Sequence, residues 1–356
     1  MAGRIDIRVD GVVQNYRVMT AAASAAGVRC TTVVKVLGGY RPLIDALMQA
    51  GADSLAEAQL PGLVSLAGQP VETWLIRTPP ISEAANIVRY ADVSLNTELA
   101  TIQALGKAAV GQGRTHKVVI VVELGDRREG VMPDDVVPLA QATASTAGVE
   151  FYGLGAVLGC NSGVVPSPDN QGLLVDVLDA VENKIGAALP VVSGGSSSAL
   201  NMLMEGRLPA RVNHLRVGET LFTGRVVDFG TPLPGGCLDP FTLTAEILEI
   251  KDKPSKPVGV RAPGEVPVDL DPRFPDEGIR RRALVGVGSQ DTDLHELFPI
   301  DEGVRVLGGS SDVLIADITD CPVPYRVGEH MTFSLGYHAI LRGMVSGFTE
   351  KSLVFG

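Results

Sequence analysis

Three short stretches carry side chains whose types and spacing suit chemistry. In Thr31-Thr-Val-Val-Lys-Val-Leu-Gly-Gly39 a lysine, Lys35, sits inside an apolar run. In Ser193-Gly-Gly-Ser-Ser-Ser198 small polar residues precede a helix-like segment, Ala199-Leu-Asn-Met-Leu-Met204. In Leu215-Arg-Val-Gly-Glu219, Arg216 stands two residues before a glycine. Desolvation favours a free amine over an ammonium, and a free amine condenses with a carbonyl to give a Schiff base. Small residues at a helix start leave backbone N–H groups facing an anion such as phosphate. Each stretch also has a plainer reading. Lys35 is then a strand-end charge that snorkels to water, and the serine–glycine turn is an ordinary helix cap.

Choosing between these readings requires the elements that position the residues. Eight short runs rich in β-branched residues, Cys30–Val36, Ala52–Ala56, Glu72–Thr78, Ala91–Asn96, Lys117–Leu124, Phe151–Gly159, Leu189–Gly195 and His214–Thr220, alternate with helix-like segments. The segments include Arg41–Ala50, Thr97–Gly111, Asp134–Ala147, Asn170–Ala187 and Ser198–Gly206. This alternation predicts βαβ units and a parallel sheet, and eight repeats fit a (β/α)8 barrel of the TIM type. A doubly wound open sheet is the alternative. Beyond Val226, Pro232, Pro234 and Gly235-Gly236 read as a linker, followed by strand-like runs with no long helices: Phe241–Ile250, Arg280–Gly288, Val304–Leu307, Asp312–Ile318 and Met331–Leu335. Lys251–Glu277 is proline-rich and reads as a long excursion loop. The expected domains are a barrel over 1–228 and a mostly β domain over 229–356.

A barrel of this kind carries its active site at the C-terminal ends of its strands. Lys35, Arg77, Asn96, Leu124-Gly-Asp-Arg-Arg-Glu-Gly130, Cys160-Asn161, the Ser193 turn and Arg216 then converge on one locally cationic mouth. The whole chain carries a formal charge of −11, which argues against non-specific nucleic-acid binding but leaves room for a local anion pocket. No apolar run reaches the roughly 18 residues of a membrane helix, and Met1–Asp10 has no signal-peptide core, so a cytoplasmic location is expected. Cys30, Cys160, Cys237 and Cys321 are scattered without CxxC spacing and indicate neither a disulfide framework nor a metal site.

The loops after the last two strands of such a barrel commonly hold phosphate. Gly218 after the eighth strand adds a backbone donor to the Ser196–Ser198 turn. Of the eight lysines, Lys35 alone ends a buried-type run. A phosphate site and a strand-end lysine together suggest pyridoxal 5′-phosphate, with Lys35 as its Schiff-base lysine, while on these residues alone a snorkelling lysine fits as well.

The segments VVK (33–35), ELGDRREG (123–130), VSGGSSS (192–198), LRVGE (215–219), IRRRALVGVGSQDTD (279–293) and GGSSDVLIAD (308–317) resemble the fold-type III, pyridoxal-phosphate-dependent alanine racemases, and more closely their ornithine racemase-like branch. The resemblance runs over nearly the whole chain. It implies an amino-acid racemase that exchanges the α-proton between two bases, and a head-to-tail homodimer whose sites are completed by the partner. Lys35 matches the Schiff-base lysine and one base. Arg128 matches the arginine that contacts cofactor and substrate carboxylate. Arg216 matches the arginine facing the pyridine nitrogen, where decarboxylases of this fold place a carboxylate. Ser196, Ser197, Ser198, Gly218 and Glu219 match the phosphate site, and Tyr337 aligns loosely with a phenol that joins it.

The departures fall on the second face. Ser289 stands where the family's second base, a tyrosine, belongs, and Asp291 is the other candidate. Val157 stands where a histidine usually stacks under the cofactor. Ser311 aligns with a substrate-carboxylate contact, and Asp312 follows it. Asp291, Asp293 and Asp312 would supply negative charge for a substrate with a distal ammonium, such as ornithine or lysine, unless Asp291-Thr-Asp293 is only a solvated turn. Other readings remain open: an alanine or broad-specificity racemase, a non-catalytic pyridoxal-phosphate carrier, a decarboxylase, and a phosphosugar enzyme with a Schiff-base lysine.

Overall fold

The computed structural model describes residues 3–227, 230–260, 262 and 275–355. The chain divides into two compact units, one of Val9–Pro240 and one of Met1–Arg8 with Phe241–Gly356.

In the first unit, eight parallel strands close into a barrel. They are Arg29–Val33, Ser54–Glu57, Glu72–Leu75, Val93–Asn96, His116–Val122, Val149–Ala156, Val191–Ser193 and His214–Val217. The first strand closes the ring by pairing Thr32 with Leu55 on one side and Thr31 with Arg216 on the other. All eight expected runs are therefore strands, each shorter than its apolar run, and the open-sheet alternative falls. Val33, Ala56, Trp74, Val93, Leu95, Val119, Val121 and Val191 fill the interior. Outward-facing residues such as Ile120, Val122 and Leu154 pack against Val136, Leu174 and Leu178 of the surrounding helices. This two-sided burial explains why His116–Val122 reads as a continuous apolar run rather than an alternating one.

The helices form where local signals agree. Pro168–Ile185 starts with a capping box between Ser167 and Asn170 and stops at Gly186, whose φ of 72° satisfies the helix end in the left-handed region. Val9–Ala25 was not among the helix-like segments expected. It buries Val12, Tyr16, Met19 and Ala23 on one face. The stretch expected to be a linker is folded onto this unit: Thr231–Pro232 pairs with Arg225–Val226, and Asn15 donates to Cys237 C=O at 2.9 Å and accepts its N–H at 2.6 Å.

The second unit is built on a mostly antiparallel sheet in the order Leu297–Pro299, His330–Leu335, Phe241–Pro254, Ile279–Val285, Leu314–Asp317, Arg305–Gly309. Gly3–Arg8 joins it, antiparallel to Phe241–Pro254 and parallel to Thr349–Val354. Its alternation buries Ile5 and Ile7, so this N-terminal strand belongs with the C-terminal unit rather than with a 1–228 barrel domain. The expected boundary at 228/229 lies outside the described residues, and the observed division falls at Pro240. Lys251–Pro254 is strand, paired with Ile279–Arg282, not the start of a loop. Of the expected excursion loop, residues 261 and 263–274 lie outside the described residues.

Candidate active site

Lys35 stands just past the first barrel strand. The strand ends at Val33, Val34 turns the chain, and Lys35 opens a one-turn 3-10 helix closed by Gly38 at φ 56°. Val36 and Leu37, which looked like strand, are the buried face of this turn. They anchor a half-buried lysine at the C-terminal end of the barrel. Glu57 ends the neighbouring strand and is 4% exposed. Its Oε2 accepts from Ala58 N–H at 3.3 Å, and Oε1 is buried with no partner among the described residues. Burial pushes this carboxyl up to about 7, against the pull of Ala58 N–H and Lys35. Glu57 is not legible in the sequence, because one glutamate at a strand end carries no signal until its neighbour is known.

Arg128 lies in a turn held from inside. Glu123 Oε1 accepts the N–H of Gly125 at 2.6 Å and of Arg127 at 3.2 Å. Arg127 is left-handed, at φ 55°. Asp126, 1% exposed, accepts from the N–H groups of Cys160, Asn161 and Ser162 at 3.3, 3.0 and 3.2 Å. It thereby ties the Arg128 turn to the loop after the sixth strand. Nε and Nη2 of Arg128 pair with Glu129, and this pairing raises the guanidinium above its ordinary value.

Arg216 is 4% exposed. Its Nη1 donates to Ser193 Oγ and its Nη2 to Ala156 C=O at 2.6 Å. Burial pulls it down to about 10, so it remains a cation and a donor at neutral pH. The Cys160 thiol shows how the cations converge. Burial raises it, while Arg128, Lys35 and Arg216 all act to lower it. One thiol therefore lies within electrostatic reach of Lys35, Arg128 and Arg216.

The serine-rich turn is tight. Gly195 adopts φ 138°, a conformation that L side chains rarely take. Ser197 and Ser198 are buried, and Ser196 is half-buried. Ser196 Oγ and Ser198 Oγ lie 3.2 Å apart, and Ser198 donates to Leu158 C=O at 3.3 Å. The Gly218 N–H, expected to face an anion, donates instead to Ser197 Oγ at 3.1 Å, and the Thr220 N–H donates there at 3.5 Å. Glu219 is the half-buried first residue of the short helix Glu219–Thr223. Val157 is buried in the barrel-interior cluster, so the apolar side chain expected at this position belongs to the core.

The remaining candidates lie in the second unit. A Cβ on Gly288 would fall 2.2 Å from Ser311 C=O, so only glycine lets these two loops run together. Ser289 and Gln290 N–H groups donate to Ser310 and Ser311 C=O, each at 3.0 Å. Ser289, Ser311 and Asp312 therefore share one exposed patch. Asp312 accepts from Ser310 Oγ at 2.7 Å, which holds its carboxyl below the usual range. Asp291 is fully buried and accepts Gly288 N–H at 3.0 Å, and its Oδ1 has no partner among the described residues. Thr292 is buried as well, so Asp291-Thr-Asp293 is not a solvated turn. Asp293 pairs with Arg342 at 3.5 Å. Tyr337 is half-buried and opens the helix Tyr337–Val345.

The family model described as alanine racemase, N-terminal domain, matches residues 7–226, well over half the chain. This chain belongs to the alanine racemase family. The ornithine racemase of Acetoanaerobium sticklandii is 36% identical, over 99% of this chain and 100% of that one. The lysine racemase of Thermotoga maritima is 31% identical, over 98% and 97%. Two solved structures share the family fold at low identity. Alanine racemase from a D-cycloserine-producing Streptomyces lavendulae aligns with a TM-score of 0.74 at 20% identity, covering 99% of this chain and 97% of that one. Alanine racemase from Bartonella henselae with covalently bound pyridoxal phosphate aligns at 0.72 and 17%, covering 99% of each. Lys35, Arg128, Ser196–Ser198 and Arg216 all fall inside the segment matched by the family model. Ser289, Asp291, Ser311, Asp312 and Tyr337 fall outside it.

Proposed function

We propose that this alanine racemase family member interconverts the L and D forms of a basic amino acid, ornithine first and lysine second, with pyridoxal 5′-phosphate. The observation that carries the reading is that Lys35 stands just past the C-terminal end of the first barrel strand, beside the strand that carries the buried Arg216. The donor set suits the cofactor. Lys35 supplies the amine that would hold it covalently, Ser196 and Ser197 would supply hydroxyls for its phosphate, with Ser198 donating instead to Leu158 C=O, and Arg216 would supply a cation for its ring nitrogen. When bound, the cofactor withdraws electrons from the substrate Cα and so acidifies its proton.

The side chains divide the remaining work. Lys35 Nζ takes or returns the α-proton on one face. Arg128 binds the substrate carboxylate once its guanidinium leaves Glu129. Arg216 keeps a proton at neutral pH and donates rather than accepts. Toward a bound cofactor it would therefore leave the ring nitrogen unprotonated and the electron sink weaker, and so favour proton exchange over loss of carbon dioxide. The opposite face falls to Ser289 or Asp291, with Ser311, Asp312 and Tyr337 contributing carboxylate, ammonium and phosphate contacts. We place the enzyme in the cytoplasm as a head-to-tail homodimer with shared sites. Among the described residues no helix is long and apolar enough to cross a membrane.

The test is a chiral assay of purified protein with pyridoxal 5′-phosphate against L-ornithine, L-lysine, L-arginine and L-alanine. Formation of the D enantiomer fastest from ornithine or lysine is the expected result. Racemisation of alanine alone overturns the substrate, and no racemisation of any overturns the activity. Release of carbon dioxide in place of the D enantiomer assigns a decarboxylase. A Lys35→Ala protein that still holds the cofactor covalently overturns the role of Lys35. A monomer by light scattering overturns the dimer.

A further inference from the structure

A chain of buried side chains crosses the barrel interior beneath Arg216, from the eighth strand to the second. Arg216 Nη1 donates to Ser193 Oγ. Ser193 Oγ lies 2.9 Å from His214 Nδ1, and His214 Nε2 lies 2.8 Å from Thr31 Oγ1. Thr31 Oγ1 lies 2.8 Å from Ser54 Oγ. Ser193 and Thr31 are fully buried, and Ser54 and His214 are 1% and 2% exposed. The His214 ring stacks on Trp74, with centroids 4.7 Å apart and planes 10° from parallel.

The direction of this chain follows from its first donor. A guanidinium only donates, so Ser193 Oγ accepts from it. The single hydroxyl hydrogen of Ser193 then needs an acceptor, because leaving it unmatched in a dry interior costs about 1–3 kcal/mol. His214 Nδ1 is the acceptor the structure provides. A nitrogen that accepts carries no proton, so the ring proton sits on Nε2 and is donated to Thr31. Thr31 in turn donates to Ser54. A doubly protonated ring would aim a second donor at Ser193 and strand the serine hydrogen. In agreement, burial first, and then the charges of Arg216 and Arg29, push His214 well below its ordinary value.

We propose that His214 is a positioning residue for Arg216, held as its Nε2–H tautomer by this one-way relay, so that Ser193 always turns its oxygen to the guanidinium. With Nη1 on Ser193 and Nη2 on Ala156 C=O, the guanidinium plane is fixed at two points and its remaining edge is aimed rather than free. What Arg216 then does for the cofactor rests on the racemase reading. The relay itself belongs to the cofactor-free chain.

The test has two arms. In the first, long-range proton–nitrogen NMR of cofactor-free protein labelled at histidine reads the ring directly, with the His214 signals assigned by their loss in His214→Phe. The expected spectrum shows a bare Nδ1 and a protonated Nε2, unchanged between about pH 6 and 8. A protonated Nδ1, or a ring that titrates in that range, overturns the relay whatever the activity proves to be. If His214→Phe does not fold, Ser193→Ala assigns the ring, because it perturbs Nδ1 alone. In the second arm, kinetics on the loaded enzyme compare Ser193→Ala, His214→Phe and the double variant. A relay acting as a unit lowers kcat about 10-fold in each at nearly constant KM, and the double variant is no worse than the worse single. Losses that multiply, or that fall on KM alone, overturn the positioning role. Failure of the racemase reading silences only this second arm.

Discussion

Glu57 buries its carboxyl beside Lys35 at the end of the adjacent barrel strand, with Oε1 unpaired among the described residues. The consequence for stability has a definite sign. Glu57 is raised from 4.5 to about 7 by burial, so the folded chain holds a proton that the unfolded chain has released. Its contribution is whole below about pH 4.5 and is lost as pH rises through about 7. Glu57→Gln removes this loss. The variant should match wild type near pH 5 and exceed it near pH 8 by about 2–3 kcal/mol. Thermal or urea unfolding of both proteins across that range checks it. A difference independent of pH would show that Glu57 does not titrate there.

Asp126 yields a prediction of a different kind. Its carboxylate gathers three N–H groups of the 160–162 loop and so fixes the turn that carries Arg128. Asp126→Asn replaces one acceptor oxygen with a donor that would face those same N–H groups. It should cost about 1–3 kcal/mol in stability. If Arg128 binds substrate carboxylate, the variant should also raise KM about 10-fold more than it lowers kcat, since a displaced arginine weakens binding first. Steady-state kinetics with ornithine, alongside unfolding, separates the two effects. An unchanged KM would mean that the 160–162 loop does not govern Arg128.

Barrel and site differ in how legible they are from sequence. The eight strands show because short runs rich in apolar and β-branched residues, clearest in His116–Val122, recur between helix-like segments. Lys35 shows because a lysine in such a run is conspicuous. Gly3–Arg8 alternates plainly, yet its place in the C-terminal sheet is a non-local pairing with residues more than 200 positions away, which no local pattern encodes. Ser193, His214 and Trp74 are similarly hidden. Each looks like an ordinary strand residue, and only barrel closure stacks the ring on the indole and sets the serine under Arg216. Gly218 was expected to offer its N–H to an anion, but the neighbouring Ser197 hydroxyl takes it. That choice depends on a loop-to-loop distance that spacing cannot show.

The two candidates for the second proton acceptor respond differently to mutation. Ser289 is exposed, so Ser289→Ala should leave stability within about 0.5 kcal/mol. Asp291 is buried and holds Gly288 N–H, so Asp291→Ala, which removes that acceptor, should destabilise by about 1–3 kcal/mol. If either side chain carries the proton, its loss should lower racemisation about 100-fold or more in both directions. It should also abolish solvent-deuterium incorporation starting from one enantiomer while sparing it from the other. Incorporation that stays equal from both enantiomers would exclude the residue mutated.

Asp317 tests what holds the second unit together. It is 2% exposed and accepts from Arg280 Nε at 2.8 Å and Arg305 Nη2 at 2.9 Å. Burial alone would raise its pKa, but the hydrogen bonds from Arg280, Thr319 and Arg305 overcome this and hold the carboxyl far below the usual range. A depressed carboxylate contributes stability that is present above its unfolded value of 3.8 and is lost as pH falls toward the folded value. Asp317→Ala removes the carboxylate that Arg280 and Arg305 share, leaving Arg280 to Asp320 and Arg305 to Glu277. The expected cost is about 1–3 kcal/mol at neutral pH, because Arg280 keeps Asp320 and Arg305 keeps Glu277. The variant should also lose part of the acid sensitivity of wild type below about pH 4, the share Asp317 contributes beside Glu72, Glu182 and Glu277. Unfolding measured at neutral and acid pH reads both quantities. A variant as acid-sensitive as wild type would place the titrating carboxylate elsewhere in the fold.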